Sequence, residues 1–232
     1  MNPFDQPHTT EEEEKIILGY AYCLGAETVE NAIAVVDLFR KHAEQGYAIS
    51  QHILGMMYLN GRWAEKNEVE AVKWVTESAM NGFADAQYEL ANLYRTGDGV
   101  KQDTALAVKW YRKSADQGGG YAQNNLGTMY YTGEGVEKDP VEAVKWWTEA
   151  AQQGIVLAEL NLGSAYYTGT GVEKDIIEAI KWWRKAAEQG NSDASFNIGL
   201  MYDKGEGVAS NSAEAVKWIR KAANSGNMAA QS

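Results

Sequence analysis

Residues 155–190 read IVLAELNLGSAYYTGTGVEKDIIEAIKWWRKAAEQG, and this stretch recurs along the chain with a period of 36 residues. A period between about 20 and 50 residues is typical of stacked-repeat proteins, in which each repeat packs mainly on its two neighbours. The pattern therefore predicts one elongated domain over residues 11–226. The other close copies are residues 47–82, 83–118, 119–154 and 191–226.

Each repeat reads as two helices, here called helix A and helix B. In the stretch above they are predicted over about residues 157–168 and 176–189, because apolar side chains recur there at helical spacing. Gly163 inside helix A is expected to let a neighbouring helix approach closely. The G-x-G-V loop suits a helix end where the backbone needs positive φ. Asp175, with Glu178 three residues later, predicts a capping box at the start of helix B.

Helix B of every close copy carries a tryptophan at the same position, and we predict that these rings are core. The residue after each tryptophan is also apolar or aromatic, and we expect it to fill the interface with the adjacent repeat. One loop departs from the pattern, since residues 61–64 read Gly-Arg-Trp-Ala, and a distorted loop with an exposed Trp63 is predicted there. The five core positions are Trp74, Trp110, Trp146, Trp182 and Trp218.

The two ends of the chain depart most from the repeat. Residues 1–10 are polar and are predicted to form a disordered lead. Residues 11–46 keep Leu18 and Tyr22 in register and are predicted to form a divergent N-terminal capping repeat. Residues 227–232 are either the start of a further repeat or a cap on the last one.

The repeat as a whole resembles the Sel-one-like repeat (SLR) family, a relative of the tetratricopeptide repeat. The resemblance implies an all-α fold, a right-handed α/α superhelical solenoid whose concave face is lined by helix A. It also implies a scaffold or adaptor role in protein–protein interaction, in proteins that are often bacterial. The matching positions in one copy are Ala122, Leu126, Gly127, Tyr130, Gly133, Gly135, Val136, Asp139, Ala143, Trp146, Ala150, Ala151 and Gly154.

A cysteine-rich branch of that family has a disulfide in each repeat and is linked to β-lactam binding. This chain has one cysteine, Cys23, and therefore no intrachain disulfide. The chain departs from that branch, which weakens the case for a hydrolase or a binder of β-lactam or peptidoglycan. That enzyme or ligand-binding reading is kept as the alternative function.

Composition argues against several kinds of site. A net charge of −11 and a pI near 4.8 are the wrong sign for a nucleic-acid surface. His8, His42 and His52 are scattered, so no metal site is expected. The repeated G-x-G follows a helix and lacks a third glycine, so no nucleotide cofactor is expected. We expect no catalytic residues and no cofactor.

No apolar run approaches the roughly 18 residues that span a bilayer, so no membrane span is expected. No secretory signal is recognisable at the N-terminus, which favours the cytoplasm. A periplasmic or secreted location stays open if a signal peptide was removed.

The candidate protein-binding groove is the stripe beside the buried side of helix A. Its aromatic and aliphatic side chains with a few polar groups suit recognition of a partner peptide or helix. Packing of the same rings in a tightly curved superhelix is the alternative, and end-to-end stacking of repeats is a further functional alternative. The stripe also includes Leu59 and Leu157. Its main members are Tyr88, Asn92, Arg95, Tyr121, Asn124, Thr128, Tyr131, Leu160, Ser164, Tyr167, Phe196 and Leu200.

Overall fold

The structure, a computed structural model, describes residues 29–231. The predicted lead of residues 1–10, most of the predicted capping repeat, His8 and Cys23 lie outside the described residues. Within residues 29–231 there are twelve helices and no strand. They are α1 (Val29–Glu44), α2 (Ala48–Asn60), α3 (Glu68–Met80), α4 (Ala84–Thr96), α5 (Thr104–Asp116), α6 (Gly120–Thr132), α7 (Pro140–Gln152), α8 (Val156–Thr168), α9 (Ile176–Glu188), α10 (Ser192–Lys204), α11 (Ser212–Asn224) and α12 (Met228–Gln231).

The helices alternate as the sequence predicts, with helix A of each repeat even-numbered and helix B odd-numbered. From α1 to α5, and again from α6 to α12, each helix contacts mainly its neighbours in the chain order. This arrangement confirms the all-α fold of tandem helix–turn–helix repeats, an α-solenoid. The chain divides into two compact units, residues 1–119 and 120–232, here called the N-terminal and C-terminal units.

Close packing inside a repeat depends on the glycine of helix A. A Cβ atom added at Gly163 would lie 2.5 Å from Trp183 Cδ1, and one at Gly127 would lie 2.7 Å from Trp147 Cδ1. Real Cβ atoms do not approach other heavy atoms so closely, so only glycine lets helices A and B meet here. The prediction of a close approach at Gly163 is confirmed, and the helix that approaches is helix B of the same repeat.

The aromatic core lies one residue later than the sequence predicts. Trp74 and Trp146 are buried as predicted, but Trp110, Trp182 and Trp218 are only half-buried, so the prediction is wrong for these three. Except after Trp218, the residue that follows each tryptophan is more deeply buried. Trp147 and Trp183 cover the helix-A glycine of their own repeat, which leaves room for a large ring beside it. Both rings also belong to core clusters that include helix A of the next repeat, so the predicted interface with the adjacent repeat is confirmed.

The start of helix B is capped as the sequence predicts, but by half of a capping box. The Asp175 carboxylate accepts a hydrogen bond from the Glu178 backbone N–H at 3.0 Å. The return bond of a capping box is replaced, since the Asp175 backbone N–H donates to the Tyr166 carbonyl at 2.9 Å. The Glu178 carboxylate instead pairs with Lys181 at 2.7 Å.

The loop with Trp63 keeps the geometry of the other loops. Gly61 has φ +64°, and Trp63, at the place of the second glycine, has φ +65°. The Trp63 ring is half-buried and packs against a cluster that includes Val35 and Leu54, and the Arg62 guanidinium lies 4.2 Å from its centroid. The prediction of a distorted loop with an exposed tryptophan is therefore wrong.

Candidate functional site

Twelve side chains of the predicted groove, here called the helix-A face, are divided between the two units. Three of them, Tyr88, Asn92 and Arg95, lie on α4 of the N-terminal unit. The other nine lie on α6, α8 and α10 of the C-terminal unit: Tyr121, Asn124, Thr128, Tyr131, Leu160, Ser164, Tyr167, Phe196 and Leu200.

Two tyrosines of the C-terminal unit have the same surroundings in successive repeats. The Tyr131 ring lies 5.4 Å from the Trp147 ring, and the Tyr167 ring lies 5.5 Å from the Trp183 ring. A lysine ammonium lies over each tyrosine, at 5.7 Å for Tyr131 and 5.5 Å for Tyr167. The tyrosines are thus held in place by the helix-B core, which gives partial support to the packing interpretation.

Exposure separates these tyrosines and identifies an apolar patch. Tyr167 is half-buried, and its hydroxyl donates to Glu206 at 3.2 Å. Tyr131 is 41% exposed and Tyr121 is 66% exposed, both on α6, and Leu157 on α8 is 56% exposed. These are the exposed large apolar side chains of α6, α8 and α10. Tyr121, Tyr131 and Leu157 are here called the α6–α8 patch.

The polar members of the helix-A face in this unit bond within the unit. Asn124 is buried, and its carbonyl oxygen accepts from Asn161 Nδ2 at 3.3 Å. The Thr128 hydroxyl accepts from Trp147 Nε1 at 3.4 Å, and the Ser164 hydroxyl donates to the Leu160 carbonyl at 2.9 Å. Because these groups already have hydrogen-bond partners, we expect them to hold the helix-A face in place and not to bind a partner protein directly.

The remaining apolar members of the helix-A face are packed against other side chains or half-buried. Leu160 and Leu200 pack against the cluster that contains Ile180, Trp183 and Ile198. Phe196 is half-buried. The helix-A face of the C-terminal unit therefore grades from packed side chains on α10 to exposed ones on α6.

In the N-terminal unit the helix-A face is polar and contains a cavity. Asn92 accepts a hydrogen bond from the Tyr111 hydroxyl and donates to the Glu89 carboxylate at 3.3 Å. Tyr88 lies 5.9 Å from the Tyr111 ring, and Arg95 is exposed. Burial raises the pKa of the Glu89 carboxyl, and the bond from Asn92 opposes that shift. A cavity of about 310 Å³ lies between α2 and α4, lined by Leu59, Lys66, Glu68, Glu89, Asn92, Leu93, Thr96 and Asp98.

The described residues hold no cluster of three or more His, Cys, Asp or Glu side chains that could bind a metal ion. His42 Nδ1 lies 2.9 Å from the Leu38 carbonyl oxygen. His52 packs edge-on against Phe83, and burial lowers the pKa of its imidazole. No helix within residues 29–231 combines the length and the apolar character needed to cross a membrane.

Sequence reasoning missed a series of hydrogen bonds between side-chain amides inside the repeats, here called the amide ladder. The first turn of helix A is joined to the end of helix B by Asn81 to Gln51, Gln117 to Gln87 and Gln153 to Gln123, at 2.8, 2.8 and 2.7 Å. In the next repeat Gln189 donates to Glu159 at 2.9 Å. Glutamine at the same repeat position was the available signal. The ladder is structural, because it ties the two helices of one repeat together.

Glu159 is the acidic member of that ladder, and Glu159→Gln is expected to stabilise the protein at pH 7 by about 1 kcal/mol. The carboxylate is 3% exposed, and burial raises its pKa above the usual value, against the opposing effects of Lys185 and Gln189. The new amide could also donate to a carbonyl of α7, as Gln87 does to Ala79 at 3.2 Å.

The sign of the pH dependence follows from the raised pKa. A group whose folded-state pKa is raised stabilises the fold when protonated, and this contribution is lost as the pH rises through the folded-state pKa. The advantage of Glu159→Gln should therefore be largest above that pKa and shrink toward pH 4 in urea unfolding curves. Gln123→Glu is the matched control and should destabilise, since Gln123 Nε2 donates to Glu149 at 2.9 Å. Equal stability of Glu159→Gln and wild type at pH 7 would contradict the prediction.

Known proteins match this chain over most of its length. The family model described as Sel1 repeat matches residues 48–83, 84–119, 120–155, 156–191 and 192–227. A solved Sel1 repeat protein from Oxalobacter formigenes is 31% identical with a TM-score of 0.74, and the match covers 88% of this chain and 86% of that chain. None of the curated proteins compared matches the chain.

Two further solved structures are similar. One is c5321, described as a protective antigen present in uropathogenic Escherichia coli strains that displays an SLR fold. It is 41% identical with a TM-score of 0.83, over 84% of this chain and 42% of that chain, so this chain spans less than half of its length. The other is the immunity protein PA5088 from Pseudomonas aeruginosa, 20% identical with a TM-score of 0.57, over 97% of this chain and 88% of that chain, which shows likeness of fold alone.

Proposed function

The chain belongs to the Sel1 repeat family, and on this premise we propose that it is a non-catalytic scaffold that binds a segment of another protein on the helix-A face of its C-terminal unit. Sel1 repeats generally mediate protein interactions. The observation that carries the proposal is the α6–α8 patch, three large apolar side chains exposed on adjacent helices.

The patch has the physical character of a binding anchor. Tyrosine buries a large area while losing few rotameric states, and interface energy is concentrated in such side chains. Tyr131 is already fixed against Trp147 and Lys138, so a partner would not have to order it on binding. An extended peptide or a helix laid across α6 and α8 would cover Tyr121, Tyr131 and Leu157 together.

The experiment compares partner binding by wild type and by two double variants. Tyr121→Ala with Tyr131→Ala removes the two tyrosines of the α6–α8 patch, and binding of a captured partner should weaken at least about tenfold, since aromatic anchors that are buried on binding contribute about 2 kcal/mol or more. Affinity capture with mass spectrometry identifies the partner, and isothermal titration of the purified pair measures the loss. Circular dichroism shows whether each variant remains folded.

The control removes apolar area of similar exposure elsewhere in the same unit. Val141 and Ile177 are 55% and 59% exposed in the first turns of α7 and α9. Val141→Ala with Ile177→Ala should leave binding within about twofold, because these side chains are outside the helix-A face. Equal retention of partners by the tyrosine variant and the wild type would overturn the proposal.

End-to-end association is a second candidate, supported by one observation on α11. Val216 is 54% exposed, whereas the equivalent Val144 and Ile180 are buried. A second copy of this chain could cover that face. The affinity-capture experiment tests this candidate as well. If two copies of the chain associate end to end, a second copy with a different tag should be captured equally by wild type and by the tyrosine variant.

A further inference from the structure

The cavity between α2 and α4 combines apolar walls with several carboxylates. It has a volume of about 310 Å³, at the lower end of the roughly 300–1,000 Å³ of small-molecule pockets. Its walls include Leu59 from α2 and Leu93 from α4. A cavity of this size accommodates one long side chain.

The cavity is lined by a leucine at a position where two other repeats have a tyrosine. Leu59 holds the repeat position that Tyr131 and Tyr167 hold in the C-terminal unit. There the ring packs against a helix-B tryptophan, and the Tyr167 hydroxyl reaches Glu206 in the loop of the next repeat. Leucine is too short to reach the next repeat in this way, so the space remains open.

The residues that line this cavity are also more acidic than their equivalents in another repeat. Glu68, Glu89 and Asp98 line the cavity, and the equivalent residues at the junction between α6 and α8 are the uncharged Pro140, Asn161 and Thr170. Three carboxylates therefore face one lysine. That lysine, Lys66, pairs with Glu68 at 2.9 Å and leaves the other two carboxylates without an ion pair among the described residues. The cavity has an excess of negative charge.

The two remaining carboxylates have only hydroxyl or amide donors. The Asp98 carboxylate accepts from the Thr96 hydroxyl at 2.8 Å, and the Glu89 carboxylate accepts from Asn92 Nδ2 at 3.3 Å. A guest that displaced water from this cavity without supplying a cation would leave these charges desolvated, which is strongly unfavourable. A cationic guest would gain charge-assisted hydrogen bonds to the same oxygens.

We propose that this cavity receives the ammonium or guanidinium group of a lysine or arginine side chain of the partner protein. The aliphatic stem of such a side chain matches Leu59 and Leu93, and its charged end matches Glu89 and Asp98. The inference rests on the proposed scaffold function and adds to it the chemistry of one partner residue. In the C-terminal unit Tyr131 and Tyr167 hold the repeat position of Leu59, so we expect the basic residue to bind in the N-terminal unit.

The first experiment titrates the full chain with small probes and follows its ¹⁵N–¹H spectrum. N-acetyl-arginine amide and N-acetyl-lysine amide should shift the Asn92 side-chain amide in a saturable way, and the uncharged N-acetyl-norleucine amide should not. Leu59→Tyr, which introduces the residue of the repeats at 119–154 and 155–190, should abolish the shift, and Glu89→Gln should weaken it at least about tenfold. Leu59→Met, which leaves the cavity open, and Glu137→Gln, which removes a carboxylate elsewhere, should leave it unchanged.

The outcomes separate this inference from the scaffold proposal. Equal binding of the basic probes by Leu59→Tyr and wild type overturns the cavity assignment, and so does a saturable shift with magnesium chloride or spermidine but not with the two amino-acid amides. Loss of partner binding in the tyrosine double variant would still support the scaffold in that case. If the basic probes bind but the tyrosine variant captures partners as well as wild type does, the cavity assignment is supported and the proposed binding surface is overturned. A displayed random-peptide library should be enriched in one arginine or lysine position on wild type but not on Glu89→Gln.

Discussion

Trp183→Ala is expected to lower the free energy of unfolding by about 3–5 kcal/mol, and Trp182→Ala in the same helix by less than half as much. The Trp183 side chain is 2% exposed and contacts the position of Gly163, where a Cβ would lie 2.5 Å from its ring. The half-buried Trp182 ring has the Lys185 ammonium 4.0 Å from its centroid, so its removal leaves a smaller cavity. Urea unfolding followed by circular dichroism measures the difference.

The two tryptophans form a well-matched pair. They are adjacent in α9, and neither buried indole N–H group has a hydrogen-bond partner within residues 29–231, so no hydrogen bond to that part of the chain is lost in either substitution. Because repeat proteins can unfold in steps, the first transition of each unfolding curve should be compared. Hydrogen exchange of the backbone amides in α8 to α10 then measures the local stability around the two rings. Equal destabilisation by the two substitutions would show that the periodic tryptophan and its neighbour share the core equally.

The reversed burial of this pair shows where sequence reasoning reaches its limit. Periodicity identifies both rings as apolar and Gly163 as a close-approach position, because these are properties of single helices. Which ring the glycine admits depends on the rotation of helix B against helix A, and no spacing in the sequence states that rotation. The core position was therefore assigned one residue too early.

Trp63 and the amide ladder illustrate the same limit for loops and polar groups. The G-x-G motif predicts positive φ correctly, but the motif suggests that a tryptophan must distort the loop, and Trp63 instead adopts φ +65° while its ring packs on a neighbouring cluster. Gln123 and Gln153 are 30 residues apart and bond only because the repeat folds back on itself. The candidate site was predictable as a face of helix A, but which of its members are buried, such as Asn124, required the packing of neighbouring repeats.

Gly171→Ala is expected to destabilise the protein by roughly 2–5 kcal/mol, whereas Gly190→Ala should destabilise it by about 1–2 kcal/mol. Both glycines have positive φ, +74° and +93°, and an alanine in that region costs roughly 1–2 kcal/mol. A Cβ at Gly171 would also lie 2.1 Å from the Pro140 carbonyl oxygen at the start of α7, while a Cβ at Gly190 would meet nothing within 4 Å. Urea unfolding of the two single variants separates the contribution of φ from that of the clash.

The clash at Gly171 is with backbone, so it cannot be relieved by a change of side-chain rotamer. The loop that follows α8 would have to move away from α7, and forced displacement of packed elements adds about 1–3 kcal/mol to the φ term. Trp63 supports this division, because it adopts φ +65° with a large side chain. At Gly99, Gly171 and Gly207 the second glycine of the loop is thus required mainly by the contact with helix B of the preceding repeat. Similar destabilisation by the two alanine variants would show instead that φ alone imposes the glycine.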